Sequence, residues 1–153
     1  MRHHGALYVE SQPEGAFIEK GKNREHVTMY PPTENDLTES VISDLEFVCQ
    51  STEPIKTVTT TEENFPPIVR LVKKTDQMVK LREQVMKITG VSSEFAFNPH
   101  VTATGGGLMP EGVDLTFDFM SIVIDVPGGK QVLKNLPFCG VKRVIEDDLE
   151  EPA

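Results

Sequence analysis

Many of the links between strand-like segments in this chain are too short to return one strand parallel to the last, and that restricts the folds open to it. Residues 6–10 are β-rich, and a Pro13-Glu14-Gly15 turn leads to a second run at 16–19. Lys20-Gly21-Lys22-Asn23 then turns the chain again. Further runs at 113–119, 121–126 and 131–136 are separated by a few residues, the last two by Pro127-Gly128-Gly129. A parallel crossover takes a dozen residues or more, so neighbours this close pair antiparallel.

Two stretches carry a helical period instead. Pro31-Pro32 should end one strand, Thr33 offers an N-cap, and Leu37, Val41, Leu45 and Val48 follow at helical spacing, which predicts a helix over 34–50. Thr75-Asp76 opens a second, with Met78, Leu81, Val85 and Ile88 as its apolar stripe and Gly90 as its stop. Strands are expected at 55–61 and 68–72 between them. The class is therefore α+β, and 153 residues at 38% apolar content suffice for one core. A single domain is expected over 1–145. The acidic run Glu146, Asp147, Asp148, Glu150 and Glu151 reads as a solvated tail at 146–153.

Within this plan one tripeptide recurs. His26-Val27-Thr28 and His100-Val101-Thr102 use two of only four histidines and begin 74 residues apart. On a strand, residues i and i+2 share a face, so each copy aims an imidazole and a hydroxyl the same way. Two such pairs across one bond supply a proton acceptor and a proton donor near neutral pH, with hydroxyls to bind the oxygens where charge develops. That is the equipment of phosphodiester cleavage, and it requires neither metal nor cofactor.

Charge narrows the partner. At net charge −9 there is no basic stripe for a long nucleic acid, so a phosphate substrate would be a small nucleotide or short oligonucleotide. Cys49 and Cys139 lack metal-ligand or disulfide spacing and read as reduced thiols, and no stretch is long and apolar enough to be a membrane span. A cytoplasmic monomer is the expectation. His3 and His4 read as exposed terminal histidines, with a metal site built from His3, His4, His26 and His100 as a poorer option.

The wording of the motifs resembles the two-histidine phosphoesterase superfamily, which includes 2′-5′ RNA ligase-like and cyclic phosphodiesterase proteins. Its mark is a pair of H-x-[T/S] motifs on strands in the two halves of a small bilobal domain. Glu25-His26-Val27-Thr28-Met29 and Asn98-Pro99-His100-Val101-Thr102 fit that mark, and the likeness extends from Ala6 to about Leu136. It implies two mostly antiparallel sheets lining a cleft with helices outside. It also implies His26 and His100 as the acid/base pair and Thr28 and Thr102 as phosphate anchors. The candidate substrates are a 2′,3′-cyclic phosphate, a 2′-5′ linkage or a cyclic oligonucleotide messenger. Viral members that destroy host-defence nucleotides would act in the host cytoplasm. A binder that sequesters a nucleotide without turnover is the alternative.

Two departures stand out. Members of the superfamily usually have a helix between the first strand and the first motif, where this chain has room only for a hairpin. Gly105-Gly106-Gly107 after the second motif is either a turn or a set of amides for phosphate. Strand alternation adds Tyr30 to the face of His26 and Thr104 to the face of His100, Tyr8 offers a ring to stack on a base, and Arg70 interrupts an apolar strand. These four are the expected substrate-binding residues.

Overall fold

A computed structural model describes residues 1–93 and 96–140. The chain runs β1 (His3–Tyr8), β2 (Phe17–Glu19), β3 (His26–Thr33), α1 (Glu39–Gln50), β4 (Ile55–Asn64), β5 (Ile68–Val72), α2 (Asp76–Thr89), β6 (His100–Thr102), β7 (Asp114–Phe117), β8 (Phe119–Val126) and β9 (Gly129–Pro137). One sheet has the order β2-β9-β8-β1-β3 and the other β6-β5-β4-β7. The strand pairs are antiparallel; short links account for β4–β5 and β8–β9, while the closely linked β7 and β8 lie in different sheets and the other pairs join segments distant in sequence. The expected acidic tail lies outside the described residues.

The two helices pack on each other and on one side of the sheets, α1 against β9 and α2 against β3. The main core fills the space between. Leu45 and Cys49 from α1 and Met78, Leu81 and Val85 from α2 meet Leu7, Met29, Ile55, Phe117, Met120 and Ile122 from the strands. Both motif valines, Val27 and Val101, are fully buried in this core. Alternation then sends the flanking His and Thr of each motif to the opposite face.

That opposite face lies where the sheets meet. β3 and β6 are edge strands of their respective sheets and run beside each other, so the two motifs face one another across a seam. A smaller cluster of Ala6, Tyr8, Ile18, Val123 and Val132 lies apart from the main core.

Helix α2 begins and ends as its sequence predicts. The Thr75 side chain accepts from the Met78 amide, and Gly90 closes the helix at φ 73°. Helix α1 starts five residues later than expected, at Glu39, with Thr38 as its cap. Thr33 is unavailable for that role because its backbone pairs with His3 at the end of the β1–β3 ladder. Pro31 and Pro32 likewise do not end β3. Their missing amides are tolerated because β3 is an edge strand.

Two further expectations are corrected here. Strand β2 forms no hairpin with β1 but joins β9, with Ile18 opposite Lys130. His3 and His4 are not exposed: β1 begins at His3, and the two side chains are 1% and 5% accessible.

Candidate active site

His26 and His100 are held in the same way. His26 Nδ1 lies 2.6 Å from the Arg24 carbonyl oxygen, and His100 Nδ1 lies 2.9 Å from that of Asn98. A carbonyl oxygen only accepts, so each Nδ1 donates its hydrogen two residues back along its own chain. Both rings therefore turn Nε2 away from the backbone. In the neutral form that atom accepts a proton, and in the charged form it gives one.

The surroundings of the two rings differ. His26 sits opposite Tyr8 in the β1–β3 ladder, with ring centroids 5.3 Å apart, and His4 stands 6.2 Å away on the same face. Burial here holds the His26 pKa below 6.5, opposed by the bond to the Arg24 carbonyl and reinforced by the charges of His100 and Lys130. His100 meets the edge of Phe65 at 4.8 Å, near a right angle.

Two cavities flank the pair, and Thr28 borders both. The larger, about 540 Å³, lies between Phe65, Phe97 and His100 and is roofed by Arg82. The Arg82 guanidinium stands 4.7 Å from the Phe97 ring centroid and donates to the Met29 carbonyl at 3.0 Å. The smaller, about 170 Å³, lies beside His26 and is bordered by His4, Tyr8, Arg24 and Lys130.

Of the eight residues singled out in the sequence, His26, Thr28, His100 and Thr102 are half-buried on the facing edge strands. Tyr8 lies beneath His26 at 5% exposure, where it shapes the floor under the ring. Thr104 does not continue β6. It closes a tight turn with Gly107 and borders a different cavity, with Glu10, Lys22 and Gly105. The three glycines thus form a turn.

Tyr30 and Arg70 are misplaced by simple alternation. Gly5 pairs with Tyr30 but Ala6 with Thr28, so β3 carries an extra residue that swings Tyr30 into the main core. There the ring is fully buried, and its hydroxyl donates to His3 Nδ1 at 2.8 Å while His3 Nε2 donates to the Asn35 carbonyl. Arg70 pairs with Val101 and so lies on the face away from His100. Its guanidinium donates to the carbonyls of Met109 and Thr60, at 2.7 and 3.0 Å, and braces that loop.

Sequence reasoning passed over Phe65, Phe97 and Arg82, and considered His4 only as an exposed terminal residue or a metal ligand. A signal existed for His4, since His4, Ala6 and Tyr8 alternate onto one face. None existed for the other three, which come together only through tertiary packing.

Among solved structures, TT0787 of Thermus thermophilus matches with a TM-score of 0.62 at 15% identity, over 92% of this chain and 99% of that one. Escherichia coli LigT complexed with 3′-AMP matches at 0.57 and 11%, over 90% and 97%. A structure described as a phosphoesterase matches at 0.58 and 10%, over 90% and 98%. The chain shares the α+β fold of these structures. No family model and no curated protein matches it.

Proposed function

We propose that the protein is a metal-independent phosphodiesterase that cleaves a small nucleotide. The observation that carries this reading is the matched anchoring of His26 and His100, each with Nδ1 spent on a carbonyl two residues back and Nε2 left for chemistry. A protein that only sequesters its ligand gains nothing from preparing two imidazoles alike.

In this mechanism His26 is the base, because burial disfavours its charged form. Its Nε2 takes the proton from the attacking hydroxyl or water, whose oxygen bonds to phosphorus. The bond from phosphorus to the leaving oxygen breaks, and protonated His100 supplies that oxygen with a proton. Thr28 and Thr102 donate to the non-bridging oxygens as charge builds there. The Phe65–Phe97 cavity is large enough for a base, which would stack on an aromatic face.

LigT crystallises with 3′-AMP, NADP+, phosphate and ATP, a set consistent with a nucleotide in this fold. A 2′,3′-cyclic phosphate, a 2′-5′ linkage and a cyclic oligonucleotide messenger are the substrates to separate, the last in keeping with viral counter-defence in a host cytoplasm. Among the described residues no helix is long and apolar enough to cross a membrane.

The test is a panel of those three substrates with excess EDTA, products being resolved by chromatography. Cleavage by the native protein and none by His26→Ala or His100→Ala is expected. Full activity in His100→Ala, or tight binding of every substrate without turnover by the native protein, rejects the reading.

A further inference from the structure

We propose that the small cavity beside His26 holds a second phosphate group of the substrate, one nucleotide step from the bond that is cleaved. This deepens the phosphodiesterase reading and rests on it. His4, Asn23, Arg24, His26, Thr28 and Lys130 border the space, and no carboxylate does so among the described residues. In a chain of net charge −9 that is a selective arrangement. Lys130 gives one of its ammonium hydrogens to Asp125 at 2.7 Å, which leaves two for a ligand.

His4 is the unusual member. Its Nδ1 is enclosed and has no hydrogen-bond partner among the described residues. An unpaired buried polar atom costs about 1–3 kcal/mol, and an unpaired N–H is rarer in folded proteins than an unpaired acceptor. The hydrogen therefore sits on Nε2, the ring nitrogen that is not enclosed. Burial, and after it the neighbouring His26 charge, lowers the His4 pKa to about 3, so the ring is a neutral donor. Donors from His4, Asn23, Arg24 and Lys130 border one small space, and the acid nearest to them, Asp125, is paired with Lys130 outside its lining, which is the chemistry of an anion site.

Size and position agree. At about 170 Å³ the space is too small for a nucleotide but admits a phosphate, whereas the cavity on the other side of Thr28 is about 540 Å³. His26 and Thr28 line this space and also belong to a candidate catalytic pair, so a group held here lies directly beside the scissile phosphate. A substrate with two phosphates would thus be gripped on both sides of the scissile bond.

Calorimetry on the His100→Ala protein at constant salt tests this, with 2′-5′ diadenylate as the probe, with and without a 5′-phosphate. The 5′-phosphate should tighten binding by roughly 10-fold or more, the worth of one or two charge-assisted hydrogen bonds. Arg24→Gln, Lys130→Gln and His4→Gln should each remove most of that gain. Equal affinity for the two probes, or a gain that survives all three substitutions, overturns the subsite. If His4→Gln fails to fold by circular dichroism, the other two variants decide. Cleavage of a mononucleotide 2′,3′-cyclic phosphate by the native protein, with no 5′-phosphate gain, would overturn the subsite and leave the phosphodiesterase reading standing. Absence of both cleavage and binding would reject the two together.

Discussion

Tyr8 and His26 are directly opposed across the β1–β3 ladder, with ring centroids 5.3 Å apart. The tyrosine ring closes the floor beneath the imidazole and contributes to the burial that lowers the His26 pKa below 6.5. A base works while neutral, so its activity is lost only when it is protonated. The acidic limb of the kcat/KM profile should therefore have its apparent midpoint below pH 6.5. A limb centred above 6.5 would reverse the assignment of base and acid.

Loss of either imidazole should reduce turnover by about 10²–10⁴-fold, the usual worth of a positioned acid or base. Thr28→Val and Thr102→Val should cost on the order of 10- to 1000-fold in kcat, as expected for one donor to a developing charge. Steady-state kinetics on the four variants checks both ranges. A valine variant with native kcat would remove that threonine from the mechanism.

His4 makes a prediction about stability. Its folded pKa of about 3 lies below the ordinary 6.5, so between those values the unfolded chain binds a proton that the folded chain excludes. Stability is then fully present above pH 6.5 and falls as pH drops toward 3, by up to about 1.4 kcal/mol per pH unit from this residue. Urea titrations at a series of pH values should show a shallower decline in His4→Gln. Parallel curves for the two proteins would contradict the assignment.

Gly5 lies against the buried Tyr30 ring. A Cβ there would come within 2.6 Å of Tyr30 Cδ2 and 3.1 Å of Met120 Sδ. The tyrosine cannot move aside freely because His3 holds its hydroxyl. Gly5→Ala should cost about 1–3 kcal/mol through overpacking, measurable as a fall in Tm of roughly 2–4 °C per kcal/mol. An unchanged Tm would mean that the bulge in β3 relaxes at no cost.

Phe65 is 38% exposed where it meets His100. If a nucleobase stacks there, Phe65→Ala should raise KM by about 5- to 150-fold, since one base–aromatic stack is worth about 1–3 kcal/mol. An unchanged KM would remove Phe65 from the substrate pocket.

The local chemistry of this chain was readable residue by residue. Thr75 and Gly90 cap α2 where their side chain and backbone preferences place them, and short links are enough to make the β4–β5 and β8–β9 pairs antiparallel. In each motif a valine between His and Thr declares one inward and two outward positions, because a strand alternates whatever it packs against. What needed the fold were events that depend on a partner strand. The extra residue in β3 appears only when Gly5 and Ala6 are matched to Tyr30 and Thr28, and it carries Tyr30 out of the face that alternation assigns. Arg70 turned out to brace a loop 39 residues away, and α1 started late because Thr33 was already paired with His3. The sequence by itself thus determined the class of fold and the two His-Val-Thr pairs, since periodicity and capping act over a few residues. Which faces meet, and with them the approach of edge strands β3 and β6 from two different sheets, the Phe65–Phe97 cavity and the burial of His4, was decided by tertiary packing, because these are contacts between segments whose spacing along the chain carries no local signal.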